Sequence, residues 1–90
     1  MLPDLYRQYG AIEDVVRRIV GDHFGVQGAT LGLNTHIRDD LGADSLDFLE
    51  LIMTVEELFQ VRIPEADTAR IERIGDIVAI LERVLPRRRH

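Results

Sequence analysis

Ser45 stands between Asp44 and Asp47 in the stretch Leu41-Gly42-Ala43-Asp44-Ser45-Leu46-Asp47, at the point where an apolar helical pattern begins. A serine there could be a nucleophile or the acceptor of a group. A hydrolase serine needs a tight glycine-flanked turn, a histidine and an acid. The glycines would fall at positions 43 and 47, which are Ala43 and Asp47. His23 and His36 could approach Ser45 only through the tertiary fold, and they read as surface or loop residues. A calcium loop is suggested by Asp39 and Glu50 at the first and twelfth places of a twelve-residue window. It fails at Leu41 and Ala43, where oxygen ligands are required, and at Asp44, where glycine is required. Weak divalent-cation binding by the acidic patch is all that remains of that reading. The acceptor reading survives. A helix start presents backbone N–H groups and a positive dipole end, which suit a phosphate. Ser45 is then a substrate that carries a phosphodiester on its oxygen, and a separate enzyme supplies base and metal.

The rest of the composition agrees with a passive role. Ninety residues make one small domain. With 46% hydrophobic and 30% charged residues the chain is an ordinary globular one. It has no cysteine, which excludes disulfides and thiolate metal sites and fits a reducing, cytoplasmic setting. The N-terminal MLPDLYRQYG has neither a basic nor an apolar signal-peptide region, and no apolar run approaches the ~20 residues of a membrane span. The net charge of −5 is unevenly placed. Residues 38–60 hold seven acids (Asp39, Asp40, Asp44, Asp47, Glu50, Glu56, Glu57) against Arg38 alone, whereas residues 83–90 hold Arg83, Arg87, Arg88, Arg89 and no acid. The acidic stretch would repel nucleic acid and attract an arginine-rich protein surface. The arginine tail reads as a solvated end rather than a nucleic-acid patch.

Helices must position Ser45, since no strand pair is evident. Ile12, Val15, Val16 and Ile19 predict a first amphipathic helix that Gly21 and Gly25 end. Residues 25–44 read as a long irregular loop in which Leu33, Ile37 and Leu41 drape over the core, with Ile37 as the anchor. A second helix is expected over 45–60, capped by Asp44 and favoured by Asp47 in its first turn. Phe48, Leu51, Ile52, Val55 and Phe59 form its core stripe. Leu46, Leu49 and Met53 form a second apolar line, flanked by acids, that can serve as a docking surface. Pro64 opens a brief helix over 65–70. A last helix over 74–85 places Ile74, Ile77, Val78, Leu81 and Leu85 on one face and stops at Pro86.

The motif around Ser45 resembles the L-G-x-D-S-L phosphopantetheine attachment motif of acyl carrier proteins. The resemblance extends over Ile12 to Val20, over Glu56-Glu57-Leu58-Phe59-Gln60-Val61-Arg62-Ile63-Pro64, and over Arg70 to Asp76. It implies an all-α, four-helix bundle with a long loop between helices one and two and a short third helix. The carrier domain would be residues 11–85, between an N-terminal extension (1–10) and a basic tail (86–90). It implies that Ser45 receives 4'-phosphopantetheine from coenzyme A through a magnesium-using phosphopantetheinyl transferase. The arm's thiol would carry an acyl group, for a fatty-acid or polyketide-like pathway, or an aminoacyl group. The protein itself would catalyse nothing. By position in the family, Asp44, Leu46, Asp47, Glu50, Met53, Glu56 and Glu57 would face partners with basic surfaces: the transferase and acyl-transferring, ketosynthase-type or acyl-activating enzymes. Phe48, Ile52, Val55, Phe59 and Ile71 would line an acyl pocket, with Phe48 near its mouth. Three departures stand out. Phe48 replaces a small residue. Glu72-Arg73 replaces the hydroxyl cap of the last helix. The two end segments are additional.

Overall fold

The computed structural model describes residues 11–85, so the N-terminal extension 1–10 and the tail 86–90 lie outside the described residues. Among the described residues there are five α-helices and no strand: α1 (Ile12–Phe24), α2 (Ile37–Leu41), α3 (Ser45–Phe59), α4 (Glu65–Thr68) and α5 (Ile74–Val84). The expected helical bundle is what forms. Helix α1 packs against both α3 and α5. One core joins Val15, Val16, Ile19 and Val20 of α1 to the α3 stripe and to Ile74, Ile77, Val78, Ile80 and Leu81 of α5.

Helix α1 buries the face that its apolar spacing defines, and it ends where Gly25 turns left-handed at φ 71°. Gly21, expected to end the helix, lies inside it and is buried. Its role is close approach. A Cβ at Gly21 would stand 2.6 Å from the Val26 carbonyl oxygen and 3.0 Å from the Gly28 nitrogen. Only a residue without a side chain lets the chain fold back onto the helix there.

The segment between α1 and α3 is more ordered than its irregular composition suggests. It holds a 3-10 turn (Gly28–Thr30) and the short helix α2. Ile37 anchors it, fully buried. Leu33 does not drape over the core, since its side chain is 40% exposed. The backbone does that work instead. Gly75 N–H donates to the Leu33 carbonyl at 2.8 Å, Ile74 N–H to Thr35 at 3.1 Å, and Ile37 N–H to Glu72 at 2.9 Å. The long loop is thus tied to the start of α5. At the head of α2, His36 Nδ1 accepts the Asp39 N–H at 3.1 Å while the Asp40 carboxylate accepts the His36 N–H at 2.8 Å.

Helix α4 is shorter than expected and buries none of its own residues. It is held by Ile63 before it and Ile71 after it, both buried, and by the Asp67–Arg83 ion pair to α5 at 2.9 Å. Helix α5 begins without a hydroxyl cap. Asp76 replaces it from the third position, its Oδ2 accepting the N–H groups of Glu72 and Arg73, each at 2.9 Å. Those two bonds favour the ionised carboxylate and hold its pKa below the ordinary value of 3.8, with a smaller contribution from the charge of Arg73.

Candidate functional site

Ser45 is the first residue of α3, and it is exposed. Three residues set it there. Gly42 ends α2 in the left-handed region at φ 71°, and its N–H donates to the Arg38 carbonyl at 3.0 Å. Ala43 is buried and pins the turn. Asp44 then caps α3. Its Oδ1 accepts the Asp47 N–H at 2.8 Å, and the Asp47 carboxylate reaches back to the Asp44 N–H at 3.3 Å. This reciprocal arrangement satisfies two donors that a helix start otherwise leaves open. Among the described residues the Ser45 hydroxyl makes no hydrogen bond, so nothing in the fold occupies it.

Among the described residues no histidine or acid makes a hydrogen bond to that hydroxyl. The Nδ1 of His36 is engaged in capping α2, and His23 packs edge-on against Phe24 at 4.9 Å. Among the described residues no group of three or more His, Asp or Glu is arranged to hold a metal ion. An exposed, unengaged serine at a helix N-terminus is suited to accept a charged group from outside, and its surroundings fit a phosphodiester at that end of the helix dipole.

The expected partner face is brought together along the outside of α3. Leu46, Leu49 and Met53 are 63%, 53% and 61% exposed, which is unusual for three large apolar side chains on one helix. Asp44, Glu50 and Glu57 are exposed beside them, and Asp47 is half-buried in the capping box. Glu50, Met53, Glu56 and Glu57 share an open depression of about 620 Å³ with Thr54, Val61 and Arg62. Glu56 has a second duty that its position in the sequence did not disclose. Its Oε2 accepts the Ile63 N–H at 2.7 Å, which fixes the α3–α4 connection. Arg62 was also missed. It places a positive charge inside an acidic depression, and no periodicity marks it.

All five expected pocket residues, Phe48, Ile52, Val55, Phe59 and Ile71, are buried. Ile52 also lines a groove of about 460 Å³ between α3 and α4, with Leu49, Met53, Ile63, Pro64 and Ala69 among the other walls. Phe48, Val55, Phe59 and Ile71 do not line that groove; they are core. Phe48 is 6% exposed, and the Arg38 guanidinium lies over its ring at 5.1 Å from the centroid. Among the described residues no helix is long and apolar enough to cross a membrane.

Residues 14–81 match the family of the phosphopantetheine attachment site. The chain is 38% identical over 74 residues to an acyl carrier protein from Akkermansia muciniphila, covering 82% of this chain and 92% of that one. It is 40% identical over 72 residues to an acyl carrier protein from Campylobacter lari, covering 80% and 94%. Among solved structures, the acyl carrier protein from Enterococcus faecalis superposes with a TM-score of 0.66 at 30% identity, covering 78% of this chain and 90% of that one.

Proposed function

Since the chain belongs to the acyl carrier protein family, a family of carriers rather than enzymes whose domain takes a phosphopantetheine arm, we propose that the arm is attached to Ser45 and that acyl intermediates travel on it as thioesters. The observation that carries this reading is the exposed, unengaged hydroxyl at the capped start of α3, inside the matched region. When bound, 4'-phosphopantetheine supplies the thiol that a chain without cysteine lacks. The chain's own residues hold Ser45 at the helix start, place an acidic and apolar face beside it, and keep the core closed beneath it. The carrier domain is residues 11–85. A phosphopantetheinyl transferase using Mg2+ is the modifying partner, and biosynthetic enzymes with basic surfaces are the clients of Asp44, Leu46, Asp47, Glu50, Met53, Glu56 and Glu57. The setting is cytoplasmic, and the cargo serves a fatty-acid or polyketide-like pathway. The relatives' name, acyl carrier protein, favours an acyl over an aminoacyl cargo. For the acyl chain, entry between α3 and its neighbours requires the Phe48 ring to yield, because interiors have few voids larger than a water molecule.

Incubation with coenzyme A, Mg2+ and a broad-specificity phosphopantetheinyl transferase should add one arm to the intact mass, and Ser45→Ala should add none. An unchanged wild-type mass with several competent transferases refutes the reading. The intact mass of protein taken from its native cell identifies the loaded group and separates acyl from aminoacyl cargo.

A further inference from the structure

A phosphodiester on Ser45 would add negative charge to a stretch that already holds seven acids between residues 38 and 60. Arg38 is the one base in that stretch. Its guanidinium lies over the Phe48 ring, 5.1 Å from the centroid. Phe48 follows Ser45 by three residues, so the two share a helix face with Cβ atoms about 5–6 Å apart. Helical side chains lean toward the N-terminus, which tilts the ring toward the turn that carries Ser45. The guanidinium therefore rests on a ring that lies one helical turn beyond the residue that would bear the phosphate.

Arg38 is also available. Arg17, Arg18, Arg73 and Arg83 each pair with a carboxylate, whereas among the described residues Arg38 makes no ion pair. The nearby acids are engaged elsewhere. The Asp40 carboxylate accepts the His36 N–H, Asp44 and Asp47 complete the cap of α3, and the Asp39 side chain, 79% exposed, makes no ion pair with Arg38. A cation resting on a ring face keeps its N–H donors in the guanidinium plane, and that planar fork matches two phosphate oxygens.

We propose that Arg38 is the positioning residue for the arm: its guanidinium leaves the Phe48 ring for the phosphodiester once Ser45 is modified. This rests on the reading of Ser45 as the attachment site. Two consequences follow for the carrier. The arm sets out across the α2–α3 boundary instead of along the outer line of Leu46, Leu49 and Met53. The Phe48 ring loses the charged group that covers it, so modification itself prepares the ring to move.

The experiment uses the full chain as wild type, Arg38→Gln and Arg38→Lys, each treated with coenzyme A and transferase and checked by intact mass. Before modification, NMR should show the Arg38 side-chain protons shifted by the Phe48 ring current. After modification that shift should be lost. The phosphorus resonance should differ between wild type and Arg38→Gln, with Arg38→Lys between them, and the difference should shrink as salt rises. A merely structural role for Arg38 would leave the phosphorus resonance where it is. Retention of the ring-current shift after modification, or equal phosphorus positions in wild type and Arg38→Gln, overturns the proposal. A wild-type mass that never changes removes the Ser45 reading itself, and this inference with it.

Discussion

Truncating Asp76 removes both side-chain bonds that organise the start of α5. The Asp76 carboxylate accepts the Glu72 and Arg73 N–H groups at 2.9 Å each, and no hydroxyl stands at the cap to replace it. Loss of an N-terminal cap costs about 0.5–2 kcal/mol, and these N–H groups are exposed enough for water to recover part of the loss. We expect Asp76→Ala to cost about 1–2 kcal/mol. For a domain of this size that lowers Tm by roughly 4–15 °C. The Glu72 and Ile74 backbones also carry the ties to Ile37 and Thr35, so fraying at this point should loosen the α1–α3 connection as well. Hydrogen exchange at Ile37 and Ile74 reads that coupling. Asp76→Asn keeps an acceptor oxygen and should lie between wild type and alanine. The pH dependence has a definite sign. The folded pKa of Asp76 is lowered, so its contribution is complete above the ordinary value of 3.8 and is lost as pH falls through the lower folded value. The stability gap between wild type and Asp76→Asn should therefore close in acid. An unchanged Tm in Asp76→Ala at neutral pH, or a gap that widens in acid, refutes this account of the helix start.

Glu56 and Glu50 should separate stability from recognition. Glu56→Ala leaves the N–H of the buried Ile63 without its acceptor and should cost about 1–3 kcal/mol in urea unfolding, whereas Glu50→Lys should stay within about 0.5 kcal/mol. Glu50→Lys should instead slow association with the transferase at low salt, and equal association rates for wild type and variant would rule out steering by this face. Gly42→Ala meets no steric obstacle, because open space surrounds the new Cβ, but it should cost about 1–2 kcal/mol for the left-handed φ of 71°. No change in the unfolding midpoint would show that α2 re-ends elsewhere. For Phe48, the gain in Tm on loading medium-length acyl chains should be larger in Phe48→Leu than in wild type, each compared with its own unloaded form. Equal gains would assign Phe48 to packing alone.

The sequence by itself determined the helices long enough to show a period, and the motif that starts the third of them. In α3 every third or fourth residue from Phe48 to Phe59 is apolar and every one is buried, while Leu46, Leu49 and Met53 stay outside. A fifteen-residue helix repeats its period often enough to separate these two lines. The Asp44 cap is legible for a similar reason, since its partner is local and its chemistry is specific, whereas the return bond from the Asp47 carboxylate to the Asp44 N–H shows only in the structure. Helix α2 spans only five residues, too few to display a period, so its sequence reads as loop. The ties from Leu33, Thr35 and Ile37 to the start of α5 run between backbone atoms far apart in sequence. Backbone groups are the same in nearly every residue, so such bonds leave no mark on side-chain pattern. The second role of Glu56 and the place of Arg38 over Phe48 depend on which segments the packed core brings side by side. Spacing along the chain carries the helix faces, but only the docking of α1 against α3 and α5 decides what stands next to Ser45.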